Sequence, residues 1–224
     1  GKMKKILFVL TVCLLLASLA SAEIMMVACP LGKGKLGLMP GAMADFNYAG
    51  MGSNSYMMMD SLGFGLQDKL DVYLSAGVGY SARTGMMGTM SMLSYALNLK
   101  YTLLSENLTQ PFSLAVNGGL KSMPMSMTTM NQMQGSLGLI VSKMINNFTP
   151  YAGATYRTSR QTYGDFGQID YTIGTGIGPM DKMLMIEYTL QTISVASGSS
   201  FAALIGGTNY TSSQIAIGAC IGLN

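Results

Sequence analysis

The sequence predicts an all-β chain, a closed, antiparallel, up-and-down transmembrane β-barrel of ten strands, with eight as the alternative count. Three observations carry this expectation. First, large apolar residues alternate with small or polar ones over many short stretches, as in "LDVYLSAGVGYSA" at 70–82, and successive strand side chains point to opposite faces. Second, the chain is hydrophobic, with mean hydropathy +0.36, yet only 10% of it is charged, against about 25% in ordinary soluble domains. Third, beyond residue 22 no run of about 18 apolar residues remains to cross a membrane as a helix. Hydrophobicity spread over alternate positions is how a barrel meets lipid.

The amino terminus reads as an export signal, residues 1–22. Lys2, Lys4 and Lys5 precede the apolar run 6–16, and Ala20-Ser21-Ala22 supplies the small-residue pattern of a cleavage site before Glu23. Translation is expected to begin at Met3. Three lysines and no acids leave with this segment, so 13 basic residues fall to 10 against 10 acidic ones. The mature chain is then neutral, without the basic patch that nucleic acid needs. Residues 23–35 are expected as a periplasmic segment and 36–224 as the barrel.

Strands follow in order. Less regular ones are expected near 38–49 and 56–66, the second with Asp60 on the parity of Leu62 and Phe64, which requires either a bulge or a rim position. In 70–82, Leu70, Val72, Leu74, Ala76, Val78 and Tyr80 oppose Asp71, Tyr73, Ser75, Gly77 and Gly79. In 91–103, Leu93, Tyr95, Leu97, Leu99 and Tyr101 oppose Ser94, Ala96, Asn98 and Lys100. In 112–121, Leu114, Val116 and Leu120 oppose Ala115, Asn117, Gly119 and Lys121. Leu137, Leu139 and Val141 then mark a sixth strand, and Ala152, Ala154 and Tyr156, opposite Arg157, a seventh. Ile169, Tyr171, Ile173 and Ile177 oppose Asp170, and Leu184, Ile186, Tyr188 and Leu190 oppose Met185 and Glu187. The tenth sets Ile215, Ile217 and Ile221 against Gln214, Gly218 and Cys220.

The polar parity is Gly, Ser, Thr, Asn and scattered charge, which suits an enclosed wet or ion-paired interior; the apolar parity is left for lipid. A soluble barrel would invert this arrangement. Connections at 67–69, 106–110, 146–149 and 178–182 are short, and those at 83–90, 122–133, 158–166 and 194–212 are longer. Tight periplasmic turns and free external loops alternate in this way, which places both chain ends in the periplasm.

With its export signal, the turn-then-strand run "LQDKLDVYLSAGVGY", the late strand "IEYTLQTISV" and the terminal "SSQIAIGACIGL", the chain resembles the small outer-membrane β-barrels of Gram-negative bacteria, the OmpA-barrel, OmpX and opacity-like proteins. The resemblance covers about 36–223. It implies an outer-membrane monomer in lipid, inserted by the barrel-assembly machinery, with an external loop ligand that it does not identify. Family members usually end in an aromatic residue that this machinery reads; here the chain ends Gly222-Leu223-Asn224.

No catalytic or cofactor-binding set is expected. The chain has no histidine, and the barrel enzymes that the resemblance brings to mind, of the phospholipase, palmitoyltransferase, deacylase and omptin protease types, rely on one as base or partner. Lys100, Lys121, Arg157, Asp170 and Glu187 are expected to face the lumen, as an ion network or the lining of a narrow pore. Of the 22 methionines, Met123, Met125, Met127, Met130 and Met133 fall in one expected external loop. Thioethers suit soft metals, but methionine also crowds other segments, where it fills irregular apolar space, so no metal site is assigned. Cys29 and Cys220 remain after cleavage and are expected near the periplasmic rim, where a disulfide between them would staple the first and last strands; a lipid-modified Cys29 and two unpaired thiols are the alternatives. "GKGKLG" at 32–37 matches G-x-G-x-x-G but precedes a strand, not a helix, so no phosphate site follows. The N-x-T triplets at Asn107, Asn147 and Asn209 read as chance. The role expected is structural or surface interaction through external loops, with a narrow passive channel as the alternative and a soluble periplasmic β-protein as the third.

Overall fold

The computed structural model describes residues 27–48, 53–83, 89–124, 131–160, 166–195 and 209–223. The expected export signal and most of the connections at one end lie outside them. Ten strands follow one another: β1 Leu36–Tyr48, β2 Ser53–Gln67, β3 Leu70–Arg83, β4 Thr89–Leu104, β5 Ser113–Pro124, β6 Asn131–Ser142, β7 Phe148–Arg160, β8 Phe166–Ile177, β9 Lys182–Val195 and β10 Asn209–Leu223. Each pairs antiparallel with its sequence neighbours, and β1 pairs with β10 from Leu36↔Leu223 to Phe46↔Ser213, closing the barrel. Ten strands and up-and-down topology are as expected.

The face assignment holds as well. Leu97, Leu139, Ile173, Leu184, Ile186, Ile215 and Ile217 stand exposed on the outside, while Asp71, Ser94, Thr102, Asp170 and Gln214 are buried within. Closure leaves no sheet edge, so every strand finds a ladder partner on both sides.

Three expectations need correction. Strands run past the hydrophobic pattern: residues 89–90, 122–124, 131–133, 158–160 and 209–212, expected in long loops, are ladder-paired. Backbone pairing continues beyond the band where lipid dictates side chains, so the short and long connections differ less than the sequence suggests. Asp60 sits neither at the rim nor at a bulge. It lies midway along β2, in unbroken register opposite Pro40 and Ala76, on the outward parity with Tyr56, Met58 and Phe64. Finally, the interior is not purely polar. Met43, Met57, Met59, Met183, Met185 and Tyr151 form a buried apolar cluster inside the barrel.

Residues 27–35, expected as a periplasmic segment, enter the barrel at the end where the two termini of the sheet meet. Ala28 is fully buried and Val27 nearly so. "GKGKLG" supplies the turn that brings the chain back out to β1: Gly32 and Gly34 adopt positive φ, 91° and 76°, which glycine tolerates without strain. Lys35 N donates to Gly32 O, and Gly34 N and Lys35 O pair with Gly65 of β2. A Cβ on Gly65 would collide with the carbonyl oxygen of Gly32, so glycine at 65 is what lets the segment lie there.

Candidate functional site

The barrel interior is stacked in layers. At the end that holds residues 27–35, Asp71 of β3 and Lys100 of β4 are directly opposed in register and form an ion pair of 3.1 Å, with both side chains buried. Lys100 Nζ also donates to the carbonyls of Val27 at 3.1 Å and Cys29 at 2.6 Å, and lies 5.3 Å from the centre of the Tyr73 ring. Asp71 accepts from Leu31 N at 3.2 and 3.1 Å and from Tyr73 OH at 3.2 Å. Thr102 Oγ1 donates to Ala28 O, and Ala28 N donates to Ser142 Oγ. A segment without secondary structure thus has its backbone groups satisfied by side chains of β3, β4 and β6. Buried polar groups demand such partners.

Further along the lumen, Arg157 of β7 pairs with Asp170 of β8 at 2.6 Å, and Gln168 Nε2 donates to the other oxygen of that carboxylate at 2.6 Å. Glu187 of β9 accepts from Tyr151 OH at 3.0 Å and from Thr189 Oγ1 at 3.3 Å. Lys121 of β5 borders the same space, a cavity of ≈ 80 Å³ lined also by Asn117, Gln134, Arg157 and Glu187. Asp45 of β1 accepts from Ser55 Oγ and Gln214 Nε2, each at 2.9 Å.

All five charges expected in the lumen are there. Arg157 and Asp170 are brought together; Lys121 and Glu187 border the same cavity; Lys100 stands apart, committed to Asp71 and residues 27–29. Asp71 lay on the inward parity of its strand, but only the β3–β4 register reveals it as the partner of Lys100. Tyr73 shared that inward parity, whereas Asp45 and Tyr151 are further inward polar groups that the sequence did not single out.

Cys29 and Cys220 are both free thiols, so the expected seam disulfide is not formed. Cys29 is not on the seam: it lies inside the mouth, with its Sγ 3.6 Å from Ser113 Oγ, whereas Cys220 projects inward from β10. Of the loop methionines, Met125, Met127 and Met130 lie outside the described residues, Met123 belongs to β5, and Met133 belongs to β6 with its side chain exposed on the outer face. Asn107, the first residue of an N-x-T triplet, instead folds its own turn, its Oδ1 accepting from Thr109 N at 2.8 Å and Gln110 N at 3.0 Å.

No protein-family model matches the chain, and no curated protein matches it. Among solved structures it is similar to the outer membrane protease OmpT from Escherichia coli, at 9% identity over 83% of this chain and 94% of that one, with TM-score 0.41. It is similar too to the translocator domain of autotransporter NalP from Neisseria meningitidis, at 10% identity over 86% and 90% of the two chains, TM-score 0.45. The β domain of the Bordetella autotransporter BrkA gives 10% identity over 83% and 98%, TM-score 0.47.

Proposed function

We propose that this chain is a non-enzymatic, monomeric barrel of a Gram-negative outer membrane, exported by its amino-terminal signal and inserted by the barrel-assembly machinery. Its lumen is closed and its function lies in structure or surface interaction. The outward band of Leu, Ile, Val and Tyr supports a lipid environment, since such a surface in water would aggregate. One observation carries the closed reading: residues 27–31 fill one mouth, tied down by Lys100, Asp71, Thr102 and Ser142, and beyond them Met43, Met57, Met59, Met183 and Met185, from the wall of β9, β1 and β2, share one buried cluster with Tyr151 of β7. The two cavities that border the described lumenal charges measure ≈ 80 and ≈ 110 Å³. Both are small beside the 300–1,000 Å³ or so of ordinary ligand sites. The lumenal charges then serve as an ion network that holds strands together, and recognition falls to the external loops.

Single-channel recording of the refolded protein in a planar bilayer tests this, with a heat-modifiability gel to establish folding. Folded protein that passes no current is the expected result. Discrete, stable conductance steps would replace it with a narrow passive porin-like channel, in which Lys121, Arg157 and Glu187 are the selectivity residues to mutate.

A further inference from the structure

We propose that the sulfur-bearing side chains lining one cavity at the closed end of the barrel form a binding site for one soft monovalent metal ion of the Cu(I) type. Cys220 projects inward from β10. Directly opposite it in register on β9 stands Met183, 1% exposed. On the other side, β1 pairs Leu38 with Ile221 and Gly41 with Gly218, which sets Met39 beside Cys220. Met185 follows Met183 on the same inward parity, opposite Gly218. Adjacent strands lie about 4.8 Å apart and opposed Cβ atoms about 5 Å, so a thiol and three flexible thioethers from three neighbouring strands lie within reach of one another; Met183 Sδ rests against Gly176 of β8, and binding turns that thioether toward β10. They border one cavity of ≈ 110 Å³, and Met180 and Cys29 border it too.

The chemistry of this donor set is selective. Thiolate and thioether ligands favour Cu(I) over hard cations, and among the described residues no group of three or more His, Cys, Asp or Glu side chains is placed to hold a metal ion of another kind. Charge decides between monovalent and divalent ions. The binding step is Cys–SH plus M⁺ giving Cys–S–M plus H⁺, with the proton released to solvent; thioethers add no charge, so the loaded site is neutral. A divalent ion would leave a net positive charge at the sulfur set; of the cavity's charged borders, Lys100 is matched by Asp71 and Lys35 is offset by Asp181, so that charge would stay uncompensated, which burial strongly disfavours. Methionines acting only as apolar filler would need neither an inward thiol among them nor a cavity that all of them line. The site is independent of whether the lumen conducts.

Anaerobic titration of the refolded mature protein, residues 23–224, with Cu(I), against bicinchoninate as competing chelator, provides the test. One equivalent of Cu(I) should be withdrawn from the chelator, with a near-ultraviolet thiolate-to-Cu(I) absorption band. Cys220→Ser should abolish the band, and Met183→Leu, which keeps the volume, should weaken uptake at least tenfold while the heat-modifiability shift persists. No withdrawal by folded protein overturns the proposal. Uptake that is unchanged in Met183→Leu and in Cys220→Ser does so as well, because it would assign the metal to surface methionines such as those at 123–133; if Cys220→Ser does not fold, Met183→Leu alone decides.

Discussion

Replacing Lys100 by methionine isolates what holds residues 27–35 inside the barrel. The ammonium forms one ion pair at 3.1 Å and donates to two carbonyls at 3.1 and 2.6 Å; methionine keeps most of the stem and removes every donor. Asp71 would stay buried with only Leu31 N and Tyr73 OH as donors. Breaking a buried pair by removing one partner costs about 3–5 kcal/mol, and hydrogen bonds to charged groups are worth about 1.5–3 kcal/mol each, a range that overlaps it. Much of this loss falls on the segment, because both carbonyl acceptors belong to it. At about 1.4 kcal/mol per factor of ten, opening of the segment should become roughly 100- to 1,000-fold more frequent. Hydrogen exchange read by mass spectrometry on the peptide spanning 27–35, in a micelle or bilayer, reports that frequency. Peptides from β9 serve as the control for an intact barrel. If 27–35 exchanges at the parent rate in a folded Lys100→Met protein, the side-chain clamp is not what retains it.

The remaining expectations follow from single features. Gly65→Val places carbon where the Gly32 carbonyl lies, so trypsin should cut after Lys33 or Lys35 in the variant and not in the parent; equal resistance would mean that the segment is not seated against β2. Alkylation of denatured, unreduced mature protein should add two groups, at Cys29 and Cys220, and a mass without adducts would restore the seam disulfide. Ile173, 62% exposed on the outer face of β8, should cost about 2–4 kcal/mol of stability in bilayers when changed to Arg, the penalty for a cation at the lipid midplane. Reversible urea unfolding from vesicles measures this loss, and an unchanged midpoint would take that face out of lipid.

Strand number and facing were legible in the sequence because a lipid-facing surface dictates every second residue, and Leu97, Ile173 and Ile217 obey it. Strand ends were not: beyond that band the ladder is held by backbone pairing, which selects no side chain, so 131–133 and 209–212 read as loop. The lumenal set was half legible. Parity placed Lys100, Lys121, Arg157, Asp170 and Glu187 inside, but the pairing of Lys100 with Asp71 depends on the register of two strands whose connection leaves no signature of its length. The convergence of Met39, Met183 and Cys220 also depends on register, and on which strands meet at closure. Residues 27–35 carry no periodicity at all. Their position comes from tertiary contacts and from the room left by Gly65, so the sequence supports no more than a periplasmic segment there.

Threading the mouth has a consequence for the order in which the chain assembles. The contacts of residues 28 and 29 with Lys100 and Ser142 close chain separations of 71 and 114 residues, whereas the Leu36↔Leu223 pair that seals the cylinder spans nearly the whole described chain. Loop entropy makes the longer closure costlier by on the order of 1 kcal/mol, and late non-local pairing slows folding generally. The order this ranking predicts is that the N-terminal residues dock on a nascent sheet of middle strands while its flanks are still open, as a mandrel around which the wall is rolled. In pulse-labelled refolding, protection at 27–35 should precede protection across the β1–β10 junction.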